Sequence, residues 1–243
     1  MKKPRVSFFA TCLIDALFPE VGKRAVRLLE TLGCDVYFNP RQTCCGQPLS
    51  NAGFRDKAKN GMRHLISALL EDDPDHVVAP SGSCVLQVRE YPEFFKNDPH
   101  WGPMAETLAA RTFEITDFIV NVLGAKDLGA RLAGKAAYHP SCHMTRRLGV
   151  KDPPLVLLKH IQDLEIVPFE GQARCCGFGG AFSVKMGALS GAMAGEKADH
   201  LFKAGVDYLI GADAGCLMNL EGRIRRRGYD IKVLHIVEAL GET

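Results

Sequence analysis

The feature that most constrains this chain is the placement of its nine cysteines, which repeats along the sequence. Apart from Cys34, they form two sets with the same order: a lone cysteine, an adjacent pair followed by glycine, and a last cysteine. The first set is Cys12, Cys44, Cys45 and Cys84, and the second set is Cys142, Cys175, Cys176 and Cys216. Corresponding members are 130, 131, 131 and 132 residues apart. We interpret the chain as a duplicated module, because two unrelated clusters would rarely align so closely.

The residues around the cysteines repeat as well. The segment 44–47 has the sequence CCGQ and corresponds to CCGF at 175–178. The segment 79–84 corresponds to 211–216. The module ends are predicted to match, with 115–120 standing where 233–238 stands in the second copy. Glycine and alanine are dense between Gly124 and Gly134. We therefore predict a first cysteine-rich module over residues 1–128 and a second over residues 129–243.

Short apolar runs alternate with segments of helical periodicity in both copies. Strands are predicted at 6–10, 36–38, 76–79, 136–139, 165–168 and 208–211. Helices are predicted at 21–32, 55–70, 154–164 and 183–204. This alternation predicts an α/β fold in which each module is a small, mostly parallel sheet flanked by helices.

All eight repeated cysteines follow a predicted strand by a few residues. Ligands of parallel sheets gather beyond the carboxyl ends of the strands, so three loops per module are expected to converge on one site. Cys34 stands instead at the entrance of a predicted strand and has no counterpart in the second copy. We expect it to be a small buried apolar residue and not a ligand.

The composition is that of a globular protein, with 47% hydrophobic and 24% charged residues. A formal net charge of +2 gives no reason to expect a nucleic-acid partner. The apolar stretch near the N-terminus is interrupted by Asp15, and no apolar run approaches the roughly 18 residues that cross a bilayer. We expect a cytoplasmic protein without membrane insertion, where cysteine clusters mark metal or redox chemistry more often than disulfides.

Four thiolates per module are the number that holds an iron–sulfur cluster or a structural zinc ion. Zinc sites favour ligands two to four residues apart, whereas the sulfurs of adjacent cysteines reach different iron atoms of a cluster more easily. The pattern favours iron–sulfur clusters and leaves zinc, in one or both modules, as the alternative. No Ser/His/Asp or Cys/His triad has support in the sequence, so no catalytic residue is assigned.

These motifs resemble the cysteine-rich (CCG) domain family of iron–sulfur proteins and, within it, the lactate-utilisation protein A subfamily. The resemblance covers essentially the whole chain. It extends to the cysteine-rich subunit of heterodisulfide reductase and to the iron–sulfur subunits of glycolate oxidase and anaerobic glycerol-3-phosphate dehydrogenase. The segments that carry it are Thr11-Cys12-Leu13, Cys44-Cys45-Gly46-Gln47-Pro48, Pro80-Ser81-Gly82-Ser83-Cys84, Ser141-Cys142-His143-Met144-Thr145-Arg146, Cys175-Cys176-Gly177-Phe178-Gly179-Gly180 and Cys216-Leu217-Met218-Asn219.

The resemblance implies an iron–sulfur electron-transfer subunit of a complex that oxidises L-lactate to pyruvate. That expectation includes two [4Fe-4S] clusters, a third small subunit and a ferredoxin-like iron–sulfur partner. The chain carries no flavin or nicotinamide fingerprint, so we expect it to be an oxidoreductase subunit that is not sufficient alone. The alternatives are a subunit of a glycolate or other 2-hydroxy-acid oxidase, a heterodisulfide-type reductase, or a zinc-stabilised interaction module without redox activity.

The chain departs from the fuller family motif, which places another cysteine three residues before the last one. Ser81 and Asp213 occupy those positions, and Ala214 stands where some lactate-utilisation relatives have a cysteine. A five-thiolate, non-cubane cluster is therefore not expected. Four cysteines per module remain, with Asp213 as a candidate extra oxygen ligand in the second module.

Two histidines flank Cys142, namely His139 and His143. The first copy is taken to have Ala10 and Leu13 at the comparable positions. We expect structural or supporting roles for both histidines and do not assign them as ligands.

Overall fold

The computed structural model describes residues 3–241. The chain forms two compact units, the first ending at Phe118 and the second beginning at Ile119. The predicted module boundary between residues 128 and 129 lies inside the second of these units and stays a prediction.

The first unit is built on a four-stranded sheet in the order β2-β1-β3-β4. All three neighbouring pairs are parallel, and Ser7 pairs with both Tyr37 and Val77. Residues 6–8 of β1 and 77–79 of β3 are buried without alternation, as expected for central strands that helices cover on both faces. The strands are β1 (Arg5–Phe8), β2 (Asp35–Tyr37), β3 (His76–Ala79) and β4 (Thr112–Glu114).

Within the described residues, eight helices accompany this sheet. The longest helix buries an apolar stripe that includes Met62, Leu65 and Ile66, and the next longest begins with Pro19 at a position that suits proline. The helices are α1 (Cys12–Leu17), α2 (Pro19–Thr31), α3 (Gln47–Asn51), α4 (Arg55–Leu70), α5 (Gly82–Arg89), α6 (Tyr91–Phe95), α7 (Trp101–Arg111) and α8 (Ile115–Asp117).

The second unit repeats the strand order of the first, as β6-β5-β7-β8, again with parallel pairs only. Its core includes Ala137 and Leu209 of the sheet together with Ala198 and Leu220 of the covering helices. The strands are β5 (Arg131–His139), β6 (Gln162–Ile166), β7 (Tyr208–Gly211) and β8 (Lys232–His235). The helices are α9 (Asp152–Lys159), α10 (Ala181–Lys185), α11 (Gly187–Lys203), α12 (Ala214–Arg227) and α13 (Ile236–Ala239), and two π-helical segments cover Phe118–Val122 and His143–Arg147.

The predicted fold class is confirmed, because both sheets are parallel and flanked by helices. The strands predicted at 76–79 and 208–211 and the helix predicted at 55–70 have the predicted bounds. The helix predicted at 154–164 is wrong at its C-terminal end, since α9 ends at Lys159 and β6 begins at Gln162. The segment 183–204 is not one helix but parts of two, interrupted at Met186, whose backbone is not helical.

The last strand of each unit, β4 and β8, was not predicted. Both lie at a sheet edge, where Ala79 pairs with Glu114 and Gly211 pairs with His235. This register makes Glu114 the counterpart of His235, so the predicted match of 115–120 with 233–238 is wrong by three residues. Similar Ile/Val-rich segments match in several registers, and only pairing with the neighbouring strand decides between them.

None of the helices within residues 3–241 is long and apolar enough to span a membrane.

Candidate metal centres

The predicted site residues all lie beyond the carboxyl ends of strands. Cys12 begins α1 after β1, the pair Cys44 and Cys45 lies in the loop between β2 and α3, and Cys84 lies in the first turn of α5 after β3. In the second unit Cys142 follows β5, Cys175 and Cys176 lie between β6 and α10, and Cys216 lies in the first turn of α12 after β7. Three loops per unit therefore carry the four cysteines, as the sequence predicts.

In the first unit the four sulfurs come together. The Cys12 thiol donates to Sγ of Cys44 at 3.7 Å, and Sγ of Cys45 lies 3.6 Å from Sγ of Cys84, within hydrogen-bond distance. The Cys45 thiol also makes a hydrogen bond to Sγ of its neighbour Cys44. All four sulfurs are therefore connected by contacts of this kind. Exposure falls across this set, since Cys12 is exposed and Cys45 is only 2% exposed.

The sulfurs of the second unit repeat this arrangement. Sγ of Cys175 accepts hydrogen bonds from the thiols of Cys142 and Cys176. The side chains of Cys176 and Cys216 are also within hydrogen-bond distance of each other. The backbone N–H groups of Gly177 and Phe178 donate to Sγ of Cys175 and of Cys176 at 3.4 and 3.5 Å.

The electrostatics of both sets favour a bound cation. Hydrogen bonds from Cys12 and Cys45 lower the pKa of Cys44 to about 3, whereas their contact with Cys44 raises the pKa values of Cys12 and Cys45. In the second unit, bonds from Cys142 and Cys176 lower the pKa of Cys175 to about 2. One thiolate per set is thus stabilised by its protonated neighbours, and ionising all four requires a positive metal core at their centre.

Each cysteine pair is held by a polar side chain from a different element. The hydroxyl of the buried Tyr91 donates to the backbone carbonyl oxygen of Cys45 at 2.8 Å. The side-chain amide of Asn219 donates to the backbone carbonyl oxygen of Cys176 at 2.9 Å. These bonds satisfy carbonyl groups that the loops leave unpaired in a buried place. Neither Tyr91 nor Asn219 was predicted from the sequence as a supporting residue, and only the repeated carbonyl position connects them.

Two glutamines anchor the loops that lead into the pairs. The side-chain amide of Gln42 donates to the carbonyl of Phe8 at the end of β1, and that of Gln172 donates to the carbonyl of Tyr138 in β5. The sequence places a glutamine two or three residues before each pair, and this repeated position is the signal that could have predicted the anchor.

The glycine after each pair has a backbone that suits no other residue well. Gly46 and Gly177 both have φ of +82°, in the left-handed region that favours glycine. A Cβ at Gly177 would lie 2.8 Å from the carbonyl oxygen of Ser190 in α11, and a Cβ at Gly46 would lie 3.2 Å from the Cε atom of Met62 in α4. Both glycines let the pair lie directly against a long helix.

The second unit adds a basic pair that the first unit lacks. His139 lies at the end of β5, and one of its ring nitrogens lies within 4.8 Å of Sγ of Cys176 and Sγ of Cys216. Lys197 of α11 lies beside it, with Nζ 3.5 Å from Nδ1 of His139. The strand register makes Phe9 the counterpart of His139, which corrects the assumed match with Ala10.

Cys34 and Asp213, the two remaining residues considered in the sequence, are both buried. Cys34 is 5% exposed, precedes β2, and has a pKa raised by burial, which agrees with the expected small apolar role. Asp213 is buried and immediately precedes α12, three residues before Cys216. Its role as an extra ligand stays a prediction.

Four convergent sulfurs per unit are a donor set that fits an iron–sulfur cluster, and soft thiolates also suit zinc. The comparison with protein families shows which family carries this arrangement of cysteines. The model of the cysteine-rich domain, CCG, matches residues 6–89 and 136–221, which together make up most of the chain. The chain belongs to the cysteine-rich (CCG) domain family. The two matches of this CCG protein each include one full set of four cysteines.

Curated relatives of the CCG protein cover nearly its whole length. Lactate utilization protein A of Geobacillus kaustophilus (strain HTA426) is 55% identical over 97% of this chain and 98% of the relative. Lactate utilization protein A of Bacillus subtilis (strain 168) is 50% identical over the same shares of both chains, 97% and 98%. The resemblance to the lactate-utilisation protein A subfamily is thereby confirmed.

A solved structure shares the fold of the CCG protein. It is described as a hypothetical protein from Helicobacter pylori, with a TM-score of 0.64 and 13% sequence identity. The match covers 100% of this chain and 50% of that chain. At this identity the likeness extends to the fold alone.

Proposed function

We propose that this CCG protein is an iron–sulfur electron-transfer subunit of a complex that oxidises L-lactate to pyruvate. The observation that carries the proposal is the convergence of four sulfurs in each unit, in a chain about half identical to proteins named lactate utilization protein A. The duplicated geometry supports one cluster per unit.

The residues that would hold the first cluster are Cys12, Cys44, Cys45 and Cys84, and the second cluster would be held by Cys142, Cys175, Cys176 and Cys216. Bound [4Fe-4S] clusters supply one-electron transfer. The role of this chain is then to ionise and orient eight thiolates. Tyr91 and Asn219 fix the backbone of the two cysteine pairs, and Gly177 and Phe178 direct N–H groups at sulfur.

Exposure of the first site supports electron exchange with partner proteins. Cys12 is exposed, and a cavity of about 290 Å³ opens beside it, lined by Cys44, Phe38 and Gln42 among others. A site reached from solvent on one side and buried on the other suits passage of electrons to a docked protein. The partners we propose are a ferredoxin-like iron–sulfur protein and a third small subunit, in the cytoplasm.

The first test is metal and sulfide content of the full chain purified without oxygen. We expect about eight iron and eight acid-labile sulfide per chain, as two four-iron clusters contain. Zinc without sulfide contradicts the redox proposal and favours a structural metal module.

The second test addresses the substrate. The iron-loaded chain is mixed with L-lactate, alone and with the two proposed partners, and its visible absorption is followed. We expect lactate to bleach the clusters only when the partners are present. Reduction by glycolate in place of lactate would transfer the proposal to another 2-hydroxy-acid oxidase, and lactate turnover by the single chain would contradict a purely electron-transferring role.

A further inference from the structure

A buried histidine and a buried lysine lie beside the cysteines of the second unit. His139 and Lys197 are 2% exposed each. Nζ of Lys197 is 3.5 Å from Nδ1 of His139, and a ring nitrogen of His139 lies within 4.8 Å of the sulfurs of Cys176 and Cys216. Burying two basic side chains together is unfavourable unless something nearby compensates them.

The Nζ atom of Lys197 contacts three hydrogen-bonding groups. Its Nζ donates to the carbonyl oxygens of Gly171 at 3.0 Å and Gln172 at 2.9 Å, and its third contact is Nδ1 of His139. Burial lowers the pKa of Lys197 to about 8, while the nearby sulfurs of Cys176, Cys216 and Cys175 act in the opposite direction. An ammonium group suits these contacts, because its three N–H groups match three acceptors, namely two carbonyl oxygens and one ring nitrogen.

The ammonium determines which nitrogen of His139 carries the proton. An ammonium has no lone pair and can only donate, so Nδ1 of His139 is the acceptor. A ring that accepts at Nδ1 keeps a lone pair there and is therefore neutral, and burial and the charge of Lys197 lower the pKa of His139 in the same sense. A neutral ring that accepts at Nδ1 carries its hydrogen on Nε2.

This Nε2–H group has no acceptor within the protein that the structure describes. A buried donor left without a partner is unfavourable, and such groups are rare in native proteins. Sulfur can accept such a hydrogen bond, and Sγ of Cys176 and Sγ of Cys216 lie within 4.8 Å of a ring nitrogen of His139. Its placement thus indicates an acceptor that is part of the metal centre.

The first unit has apolar residues in both places. Strand register places Phe9 at the position of His139. The offset of 131 residues that relates the cysteine pairs places Ile66 at the position of Lys197. Both Phe9 and Ile66 are fully buried. The two centres therefore share their cysteine ligands but not their electrostatic surroundings.

We propose that His139 donates a hydrogen bond from Nε2 to a sulfur of the second centre, while Lys197 orients the ring and adds positive charge. The consequence is a reduction potential of the second centre above that of the first. Hydrogen bonds to sulfur and a nearby cation both stabilise the more negative, reduced form of a cluster. His139 is then a donor and not a ligand, and Lys197 is a positioning residue. This inference rests on the proposed iron–sulfur function.

The experiment is a redox titration of the full-length, iron-loaded chain, followed by electron paramagnetic resonance. The variants are His139→Phe, which copies the first unit, His139→Gln, which keeps an N–H donor, and Lys197→Met. The matched controls are His160→Phe and Lys203→Met, which remove the same groups at exposed positions of the second unit. The signal that disappears in Cys216→Ser identifies the second centre.

We expect His139→Phe and Lys197→Met to lower the midpoint potential of the second centre only. The shift should change the electron distribution between the centres at least tenfold, which is about 59 mV for a one-electron couple. Iron content should stay at the wild-type level, His139→Gln should restore most of the potential, and both controls should match the wild type. Should Lys197→Met fail to fold, the comparison of His139→Phe with His139→Gln decides alone.

Three results would overturn the inference, and they are distinguishable. Unchanged potentials in iron-loaded His139→Phe refute the donor role but leave the proposed function intact. Loss of half the iron in His139→Phe, with strong nitrogen coupling in the wild-type pulsed spectrum, makes His139 a ligand. A wild-type chain without iron removes the proposed function and this inference together.

Discussion

At the scale of single residues, the two units use one framework with different side chains at key positions. Glu114 and His235 are structural counterparts, and each lies at the end of an edge strand and caps the helix that follows. The carboxylate of Glu114 accepts from the backbone N–H groups of Thr116 at 2.9 Å and Asp117 at 3.2 Å, whereas Nδ1 of His235 accepts from Val237 at 3.3 Å. The chemical group that caps the helix therefore differs between the units, a carboxyl group in the first and an imidazole ring in the second.

Glu114 is expected to make the stability of the protein depend on pH. It is fully buried, and burial raises its pKa from 4.5 to about 8 although Thr116 and Asp117 bond to it. Between these values the folded state keeps a proton that the unfolded state loses. The free energy of unfolding should therefore fall as pH rises from about 4.5 to about 8, by at most about 1.4 kcal/mol per pH unit.

The measurement is urea unfolding of the wild type, Glu114→Gln and Glu106→Gln across this pH range. Glutamine keeps an acceptor for the cap but has no charge, so Glu114→Gln should have a flatter pH dependence. Glu106 is exposed on α7, and its replacement should leave the slope as in the wild type. Equal slopes for all three proteins would show that Glu114 is not protonated in the fold.

At the scale of elements, each site depends on how closely a loop approaches a long helix. The glycine after each cysteine pair lies against α4 in the first unit and α11 in the second. In the first unit the neighbour is the flexible side chain of Met62, and in the second it is the backbone of Ser190. The two loops should therefore differ in their tolerance of a larger residue.

Replacement of these glycines by alanine should reveal the difference. Gly228 is the matched control, because its φ is +70° and no atom lies within 4 Å of a Cβ there. Gly228→Ala should lower the free energy of unfolding by about 1 kcal/mol through backbone strain alone. Gly177→Ala should lower it by about 2–4 kcal/mol because overpacking adds to that strain, and Gly46→Ala should fall between the two.

Denaturant unfolding at fixed metal content measures this series, and iron analysis of the same samples reports the site. Gly177→Ala should also lose iron from the second unit, since the shift of the loop moves Cys175 and Cys176. An effect of Gly177→Ala no larger than that of Gly228→Ala would mean that α11 moves away at little cost.

At the scale of the whole molecule, the two units are self-sufficient in the elements that build a site. Each has its own four-stranded sheet, and each set of four cysteines comes from one unit only. The loading of the two sites should therefore be independent.

Serine replacements test this independence. Cys84→Ser should remove about half of the iron, Cys216→Ser should remove the other half, and the double variant should remove nearly all of it. Cys34→Ser is the control, since Cys34 is buried outside both sets, and it should keep full iron content. Loss of both centres after one serine replacement would show that the sites are coupled.

The sequence by itself determined the features that recur locally along the chain. The spacing of the cysteines indicated the duplication, and the alternation of apolar runs and helical periods predicted two parallel α/β units. The helix at 55–70 and the strands at 76–79 and 208–211 follow from such local patterns. The position of the cysteines after strands then predicted that each set converges.

Only the tertiary structure decided the features that depend on partners distant in sequence. The edge strands β4 and β8 have three and four residues and exist through pairing with β3 and β7. Tyr91 and Asn219 reach carbonyl groups 46 and 43 residues away, and Lys197 reaches His139 across 58 residues. A buried polar side chain is defined by the group it bonds to, and no local periodicity encodes which group folding will place beside it.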